Sequence, residues 1–133
     1  MLTVVDWITE KIAVGDYVDA KEHETDVHAN LCLKSECCDE SNTSVDELCV
    51  PLIDGPGNRA EDIEAAKRFI HDVVSCDEKV LVHCHAGRSR SICIVAAYLM
   101  KYENYTRAQA LSHIRGRKEI YLSQGIEEIF DQM

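Results

Sequence analysis

The fold of this chain is decided by one stretch, Val80-Leu-Val-His-Cys-His-Ala-Gly-Arg-Ser-Arg-Ser91. Its first four residues form a continuous apolar run, which is typical of a strand buried on both faces. A short loop with one glycine follows. The segment from Ser91 to about Tyr102 is apolar nearly all round, as a central buried helix would be. The order strand, loop, helix predicts a ligand site at the carboxyl end of a strand in an α/β sheet.

The rest of the sequence supplies further strands and helices. Apolar runs ended by turn residues predict three more strands, at residues 11–15, 27–33 and 48–53. Helical periodicity predicts three more helices, at residues 60–75, 106–115 and 123–132. The second of these helices is opened by the capping box Thr106-x-x-Gln109. We therefore expect an α/β fold for residues 1–133, a single domain with a central, mostly parallel twisted sheet flanked by helices.

The chain is acidic, with 24 Asp and Glu residues against 14 Lys and Arg residues and a formal net charge of -10. This balance argues against a broad nucleic-acid surface and against docking on an anionic membrane. No apolar run approaches the roughly 20 residues that a membrane-spanning helix needs. Acidic residues, Asp6 and Glu10, lie where a signal peptide would carry positive charge. We expect a cytoplasmic protein with no nucleic-acid partner and no stable membrane association.

The chemistry of the loop follows from its two ends, Cys84 and Arg90. The backbone N–H groups of such a loop, together with the positive end of the following helix, form an anion site of phosphate size. The same surroundings would stabilise a thiolate on Cys84. The planar guanidinium of Arg90 suits two oxygens of a phosphoryl group. A nucleophile and a clamp on one anion predict phosphoryl transfer through a cysteinyl-phosphate.

These residues carry a family resemblance. The pattern His83-Cys-x5-Arg-Ser91 resembles the signature of the cysteine-dependent protein tyrosine phosphatases. The full loop, with Ala96-Ala-Tyr-Leu-Met100 behind it, is similar to the dual-specificity branch and to the related lipid-phosphate phosphatase of mitochondria. The resemblance is strong over residues 80–102 and loose elsewhere. It implies a phosphatase that acts on phosphotyrosine and phosphoserine/threonine in proteins. We expect no metal or organic cofactor, because the loop and Arg90 supply the positive field that a metal would otherwise provide. We also expect a monomer.

The resemblance also implies a general acid on a separate loop. Asp54 lies thirty residues before Cys84, after an apolar run and before Gly-Pro-Gly. It would protonate the leaving oxygen and then activate water. The alternative is that Asp54 only stabilises its turn. Asp62 is a second candidate for the acid, but it falls in the first turn of a predicted helix.

The other loop residues receive roles from the same resemblance. Ser91 is expected to stabilise the cysteine as a leaving group, and His83 to order the loop. Gly87 would supply backbone geometry, while Ala86 and Ser89 would act through their N–H groups only. His85 and Arg88 would line the mouth, either to recognise a second negative charge or as solvated loop positions. The predicted phosphate-binding loop thus consists of Cys84, His85, Ala86, Gly87, Arg88, Ser89 and Arg90.

Rival functions stay open at this point. The basic residues His85 and Arg88 motivate a small-molecule or lipid phosphatase, acting on an inositol phosphate or a phosphatidylglycerophosphate-like ester. An RNA 5′-phosphatase is disfavoured by the overall charge. A non-catalytic phosphate-binding module is disfavoured by the joint presence of Cys84, Arg90 and Asp54.

The seven cysteines raise two further hypotheses. An odd number without a secretory signal is a poor disulfide framework. A zinc site at Cys32-x4-Cys37-Cys38 lacks the second downstream pair of ligands, so we expect no metal. Cys49 or Cys93 would be able to trap an oxidised Cys84 as a disulfide, although ordinary core packing explains both. Finally, Leu122-Ser123 replaces the Pro-Asn that often precedes the last helix in the family, and Ser123 is expected to cap that helix.

Overall fold

A computed structural model of the chain describes residues 6–15, 27–33, 46–84, 89–118 and 120–131. Within these ranges, five strands form one sheet: β1 (Asp6–Trp7), β2 (Ile12–Gly15), β3 (Ala29–Cys32), β4 (Asp46–Cys49) and β5 (Val80–His83). Their order across the sheet is β1-β2-β5-β3-β4. β1 runs antiparallel to β2, and all other neighbours pair in parallel. The predicted α/β fold with a mostly parallel sheet is confirmed.

The register brings four strand ends level at one edge of the sheet. His83, the last residue of β5, lies opposite Gly15 in β2 and Cys32 in β3. Cys32 in turn lies opposite Cys49, the last residue of β4. Because these strands are parallel, their carboxyl ends meet at this edge, where an α/β sheet places its ligands. Cys84 follows directly.

Four helices lie in the described ranges: α1 (Ala60–Ser75), α2 (Arg90–Tyr102), α3 (Arg107–Arg115) and α4 (Glu128–Asp131). The first ten residues of α2 are all buried, as expected for a central apolar helix. The predicted capping box is present, because Gln109 N donates to Thr106 Oγ1 at 3.1 Å and Thr106 N donates to Gln109 Oε1 at 2.9 Å. None of these helices is long and apolar enough to cross a membrane.

The predicted helix at residues 123–132 is wrong over its first half. Residues 124–127 form turns, and α4 begins only at Glu128. Gly125 has a φ of +86°, which lies in the left-handed region and ends a right-handed helical path. Ser123 therefore does not cap a helix.

The strands also differ from expectation at two places. β1 was not predicted, since two residues are too few to show a periodicity. The strand predicted at residues 48–53 lies earlier, at Asp46–Cys49. After β4 the chain still follows β3, with Val50 N donating to Cys32 O at 2.9 Å and Leu52 N donating to Leu33 O at 3.2 Å. Pro51 lacks an N–H group, which interrupts a regular ladder there.

The core is built on both faces of β5. Val80 and Val82 pack in the main cluster with α1 and α2, while Leu81 packs with Ala13 and Val27 on the opposite face. All four residues of β5 are buried, as predicted for a strand covered on both sides. The strand that leads to Cys84 is thus fixed by hydrogen bonds at both edges and by packing on both faces.

Candidate active site

Cys84 lies at the carboxyl end of β5, facing the beginning of α2. It is buried, and its Sγ lies 3.5 Å from Ser91 Oγ in a hydrogen bond. Ser91 is itself buried in the first turn of α2. The thirteen residues of α2 direct the positive end of their dipole toward this point. The structure thus gives Cys84 both a hydroxyl neighbour and a favourable field for negative charge. Residues 85–88 lie outside the described residues, so the roles of His85, Ala86, Gly87 and Arg88 stay predictions.

The guanidinium of Arg90 is buried next to the chain that follows β3 and β4. Its Nη1 donates to the carbonyl oxygens of Leu33 at 3.4 Å and Leu52 at 3.2 Å, which anchor one corner of the group. Its Nε is buried and has no hydrogen-bond partner among the described residues. An unpaired buried donor costs about 1–3 kcal/mol, and more when it is charged. The arrangement therefore favours an anion that pairs with this side of the guanidinium.

Asp54 is brought to the same place from a different part of the chain. It follows Leu52, whose carbonyl oxygen anchors Arg90, and its Oδ1 accepts a hydrogen bond from Ser89 Oγ at 2.7 Å. Its side chain is exposed, as a group that exchanges protons with a substrate and with water must be. The second candidate, Asp62, instead pairs with Arg59 in the first turn of α1, at 3.2 Å between Arg59 Nε and Asp62 Oδ2.

The sequence predicts a role for the N–H group of Ser89 alone, but its hydroxyl also forms two hydrogen bonds in the structure. Besides donating to Asp54, its hydroxyl accepts a hydrogen bond from Ser123 N at 3.0 Å. Ser89 and Ser123 therefore both belong to the site. No sequence pattern predicts the hydroxyl bonds of Ser89 or the backbone bond from Ser123. Asp54 lies 35 residues before Ser89, and Ser123 lies 34 residues after it. A local sequence pattern does not extend over such distances.

His83 occupies the last position of β5, immediately before the cysteine. Its side chain is buried, and its carbonyl oxygen accepts a hydrogen bond from Leu33 N at 2.8 Å. This bond joins the ends of β3 and β5 just before the loop begins. The role of the imidazole in ordering the loop stays a prediction.

The cysteines differ sharply in state. Cys84 and Cys93 carry thiols and belong to no disulfide. Cys49 is disulfide-bonded, which the odd cysteine count did not predict, and its partner is therefore not Cys84. Burial raises the pKa of Cys93 to about 12, and the negative charges of Glu127 and Asp54 add to this effect. A neutral Cys93 thiol is a poor attacking group for an oxidised Cys84.

The described part of the chain holds no cluster suited to a metal ion. No group of three His, Cys, Asp or Glu side chains within those ranges has the geometry to bind one. Cys37 and Cys38 of the zinc pattern lie outside the described residues, so the structure does not address that pattern.

Comparison with known proteins decides the family. The family model described as "Dual specificity phosphatase, catalytic domain" matches residues 12–127. The chain belongs to this family. The match takes in both Asp54 and the whole segment from Cys84 to Ser91, so the resemblance inferred from the loop is confirmed.

Individual relatives extend the comparison. The chain is 32% identical over 116 residues to dual specificity protein phosphatase 22 of Xenopus tropicalis, covering 84% of this chain and 55% of that protein. It is 49% identical over 61 residues to tyrosine-protein phosphatase yvh1 of Schizosaccharomyces pombe, covering 46% of this chain and 18% of that protein. The chain thus spans about half or less of the length of these curated relatives. The crystal structure of human DUSP28 has the same fold, with a TM-score of 0.82 and 20% identity over 99% of this chain and 91% of that one.

Proposed function

We propose that this protein is a phosphatase which hydrolyses phosphotyrosine and phosphoserine/threonine esters in proteins through a cysteinyl-phosphate. The observation that carries the proposal is the convergence of Cys84, Arg90, Ser91 and Asp54 at one edge of the sheet. In particular, the buried Arg90 guanidinium is anchored at Nη1 while its Nε lacks a partner among the described residues. Membership of the dual-specificity family supports the same activity.

In the first step, the Cys84 thiolate attacks the phosphorus atom of the ester. A sulfur–phosphorus bond forms as the bond to the ester oxygen breaks. Asp54 gives its proton to that oxygen, so the alcohol or phenol leaves neutral. The Arg90 guanidinium and the loop N–H groups stabilise the charge on the oxygens that stay on phosphorus.

In the second step, water replaces the cysteine. Asp54, now a carboxylate, takes a proton from the water molecule as its oxygen attacks phosphorus. The sulfur–phosphorus bond breaks, inorganic phosphate forms and Cys84 leaves as a thiolate. Ser91 Oγ lies 3.5 Å from Cys84 Sγ and accepts a hydrogen bond from the thiol. Once the sulfur leaves as a thiolate it has no proton, so the Ser91 hydroxyl donates to the sulfur instead.

The surface beside the site supports a protein substrate. Two large apolar side chains are exposed in the described part of the chain, Ile53 at 51% and Tyr121 at 69%. Ile53 directly precedes Asp54, and Tyr121 lies two residues before Ser123, which contacts Ser89. Exposed apolar groups at a binding site suit the side chains of a protein segment. The net charge of -10 disfavours heavily anionic substrates such as phosphoinositides and RNA.

The proposal is tested by a substrate panel with the unaltered chain and with Cys84→Ser and Asp54→Asn. The panel contains phosphotyrosine and phosphoserine peptides, a phosphoinositide, phosphatidylglycerophosphate and 5′-triphosphate RNA. We expect the phosphopeptides to be hydrolysed at the highest kcat/KM and Cys84→Ser to be inactive toward all of them. A higher kcat/KM for a lipid would establish the lipid-phosphatase alternative. Aryl phosphate hydrolysis by Cys84→Ser would refute the covalent mechanism. The cytoplasmic location and the monomeric state stay predictions.

A further inference from the structure

We infer that segment 123–128 holds the loop of the general acid in its proton-donating position, and that Ser89 and Gly125 are positioning residues for Asp54. We call residues 53–58 the acid loop. The inference rests on the proposed function, because it concerns how Asp54 delivers its proton.

The acid loop is closed internally by Asn58. Its Oδ1 accepts from Ile53 N at 2.7 Å, and its Nδ2 donates to Ile53 O at 2.9 Å and to Gly55 O at 3.2 Å. Asn58 is buried, so water competes little for these hydrogen-bonding groups. One side chain thus fixes the backbone on both sides of Asp54.

The carboxyl group of Asp54 is fixed by Ser89. A hydroxyl group has one proton to donate. Because Ser123 N occupies an acceptor position on Ser89 Oγ at 3.0 Å, the hydroxyl proton is able to point at Asp54 Oδ1, 2.7 Å away. In a protonated carboxyl group the carbonyl oxygen is the better acceptor, so Oδ1 is assigned as the carbonyl oxygen. The proton for the leaving group is therefore assigned to Oδ2 of Asp54.

The backbone of the acid loop rests directly on segment 123–128. Gly57 N donates to Glu128 Oε1 at 3.2 Å. A Cβ atom on Gly125 would lie 2.6 Å from Cδ of Pro56, closer than such atoms approach, and 3.1 Å from its Cγ, a tight contact. The φ of +86° at Gly125 adds a second reason for glycine. The Pro56 ring cannot rotate away, so a side chain at Gly125 forces the acid loop and segment 123–128 apart.

A side chain at Gly125 is expected to affect protonation of the leaving group more than the other catalytic functions. Cys84 and Arg90 are held by β5, α2 and the carbonyl groups of Leu33 and Leu52, whereas the atoms nearest a Cβ at Gly125 all belong to Pro56 of the acid loop. A shift of the acid loop would thus impair protonation of the leaving group more than attack on phosphorus. A misplacement of about 1 Å in such a group is able to cost about 100-fold in rate.

The test compares two substrates whose need for an acid differs. A nitrophenyl phosphate has a stable leaving anion and needs little protonation, whereas an alkyl phosphate such as a phosphoserine peptide needs it fully. For Ser89→Ala and Gly125→Ala, we expect kcat/KM on the alkyl phosphate to fall about 10-fold or more, and kcat/KM on the aryl phosphate to fall less than about 3-fold. The ratio kcat/KM is compared because it reports the first step alone, whereas kcat also contains the second step, in which Asp54 acts on water with either substrate. Ser89→Thr, which keeps the hydroxyl, is expected to restore much of the alkyl phosphate rate.

Matched controls lie on and just after the remote helix α3. Ser112 is exposed there, and Gly116 has a φ of -68°; a Cβ atom at Gly116 would lie 3.5 Å from His113 O, an ordinary contact. Ser112→Ala and Gly116→Ala are expected to leave the ratio of the two rates unchanged. Thermal unfolding of every variant shows whether any of them fails to fold. If one of Ser89→Ala and Gly125→Ala does not fold, the other still tests the inference.

The outcomes separate the inference from the proposed function. If the unaltered chain hydrolyses both substrates but Ser89→Ala and Gly125→Ala slow them by equal factors, the positioning role is refuted while the phosphatase stands. If Ser89→Thr is as slow on the alkyl phosphate as Ser89→Ala, the hydroxyl bond is not what orients Asp54. If the unaltered chain hydrolyses neither substrate, the proposed function itself fails.

Discussion

The charged side chain of Lys67 in α1 is completely buried. The free-energy cost of burying this charge depends on its ion-pair partner, Glu64. Lys67 Nζ lies 2.5 Å from Glu64 Oε1, while Lys101 Nζ of α2 lies 2.5 Å from Glu64 Oε2. The side chain of Lys67 has 0% exposure, whereas those of Glu64 and Lys101 are 39% and 40% exposed. Replacing Glu64 with Gln would leave this ammonium group buried without a counter-charge among the described residues.

The size of the effect follows from these exposures. Removing one partner of a fully buried pair costs about 3–5 kcal/mol. Water reaches Glu64, and screening by water weakens exposed ion pairs. We therefore expect Glu64→Gln to lower the free energy of unfolding by about 2 kcal/mol. Unfolding entropy of about 2.1 cal/mol/K per residue makes this a fall in Tm of about 7 °C for a chain of 133 residues. Lys101→Gln removes only the exposed partner, so its effect on Tm should be far smaller.

Calorimetric or circular-dichroism melting at neutral pH measures both changes. Lys67→Met in the Glu64→Gln background removes the stranded charge and should raise Tm again. If this double variant melts no higher than Glu64→Gln, or if Lys101→Gln lowers Tm as much as Glu64→Gln, the reasoning from the buried charge is refuted.

The contribution of Glu64 to the stability of the fold is expected to decrease at low pH. Hydrogen bonds from Lys101, and then from Lys67, lower the pKa of Glu64 below its ordinary value of 4.5. A carboxyl group with a lowered pKa in the folded state stabilises the fold above its ordinary pKa and loses that contribution as pH falls through the lowered value. The Tm difference between the unaltered chain and Glu64→Gln should therefore be full near neutral pH and shrink below about pH 4.5.

Three catalytic predictions accompany this one. Arg90→Lys loses the planar fork, so kcat on an aryl phosphate should fall about 100-fold or more, with the fold unchanged by circular dichroism. Ser91→Ala should slow the second step, which a pre-steady-state burst of the released phenol followed by slow turnover would reveal; absence of a burst would contradict the assigned role. A chelator such as EDTA should leave kcat unchanged, because no step uses a metal, and activity restored only by added metal would refute the scheme.

Much of the fold was readable from local patterns. The strand–loop–helix unit at residues 80–102 and the helix at residues 60–75 were predicted because an apolar run and a helical period are properties of neighbouring residues. The last helix was predicted too long. The left-handed backbone of Gly125 interrupts it, and that conformation is accompanied by the close approach of Pro56, a contact across the fold.

The candidate site shows the same division. Cys84, Arg90 and Ser91 lie within eight residues, and their chemistry is legible from their spacing. Asp54 was found because a family resemblance supplied the expectation of an acid at that distance. The hydroxyl bonds of Ser89 are not predictable from local sequence, because their partners lie 34 and 35 residues away in opposite directions along the chain. Only the packed structure shows which hydroxyl groups meet which carboxyl groups.

The position of β5 between β2 and β3 has a consequence for partial unfolding. Amide groups of a central strand exchange their hydrogens only when much of the molecule opens, whereas irregular segments held by side chains open at lower free energy. Cys84 follows the central strand, while Asp54 lies in an irregular segment. Mild denaturant should thus release the proton donor before the nucleophile. The intermediate species would still cleave activated aryl esters while having lost its action on unactivated ones, so the two activities would have separate midpoints of denaturation.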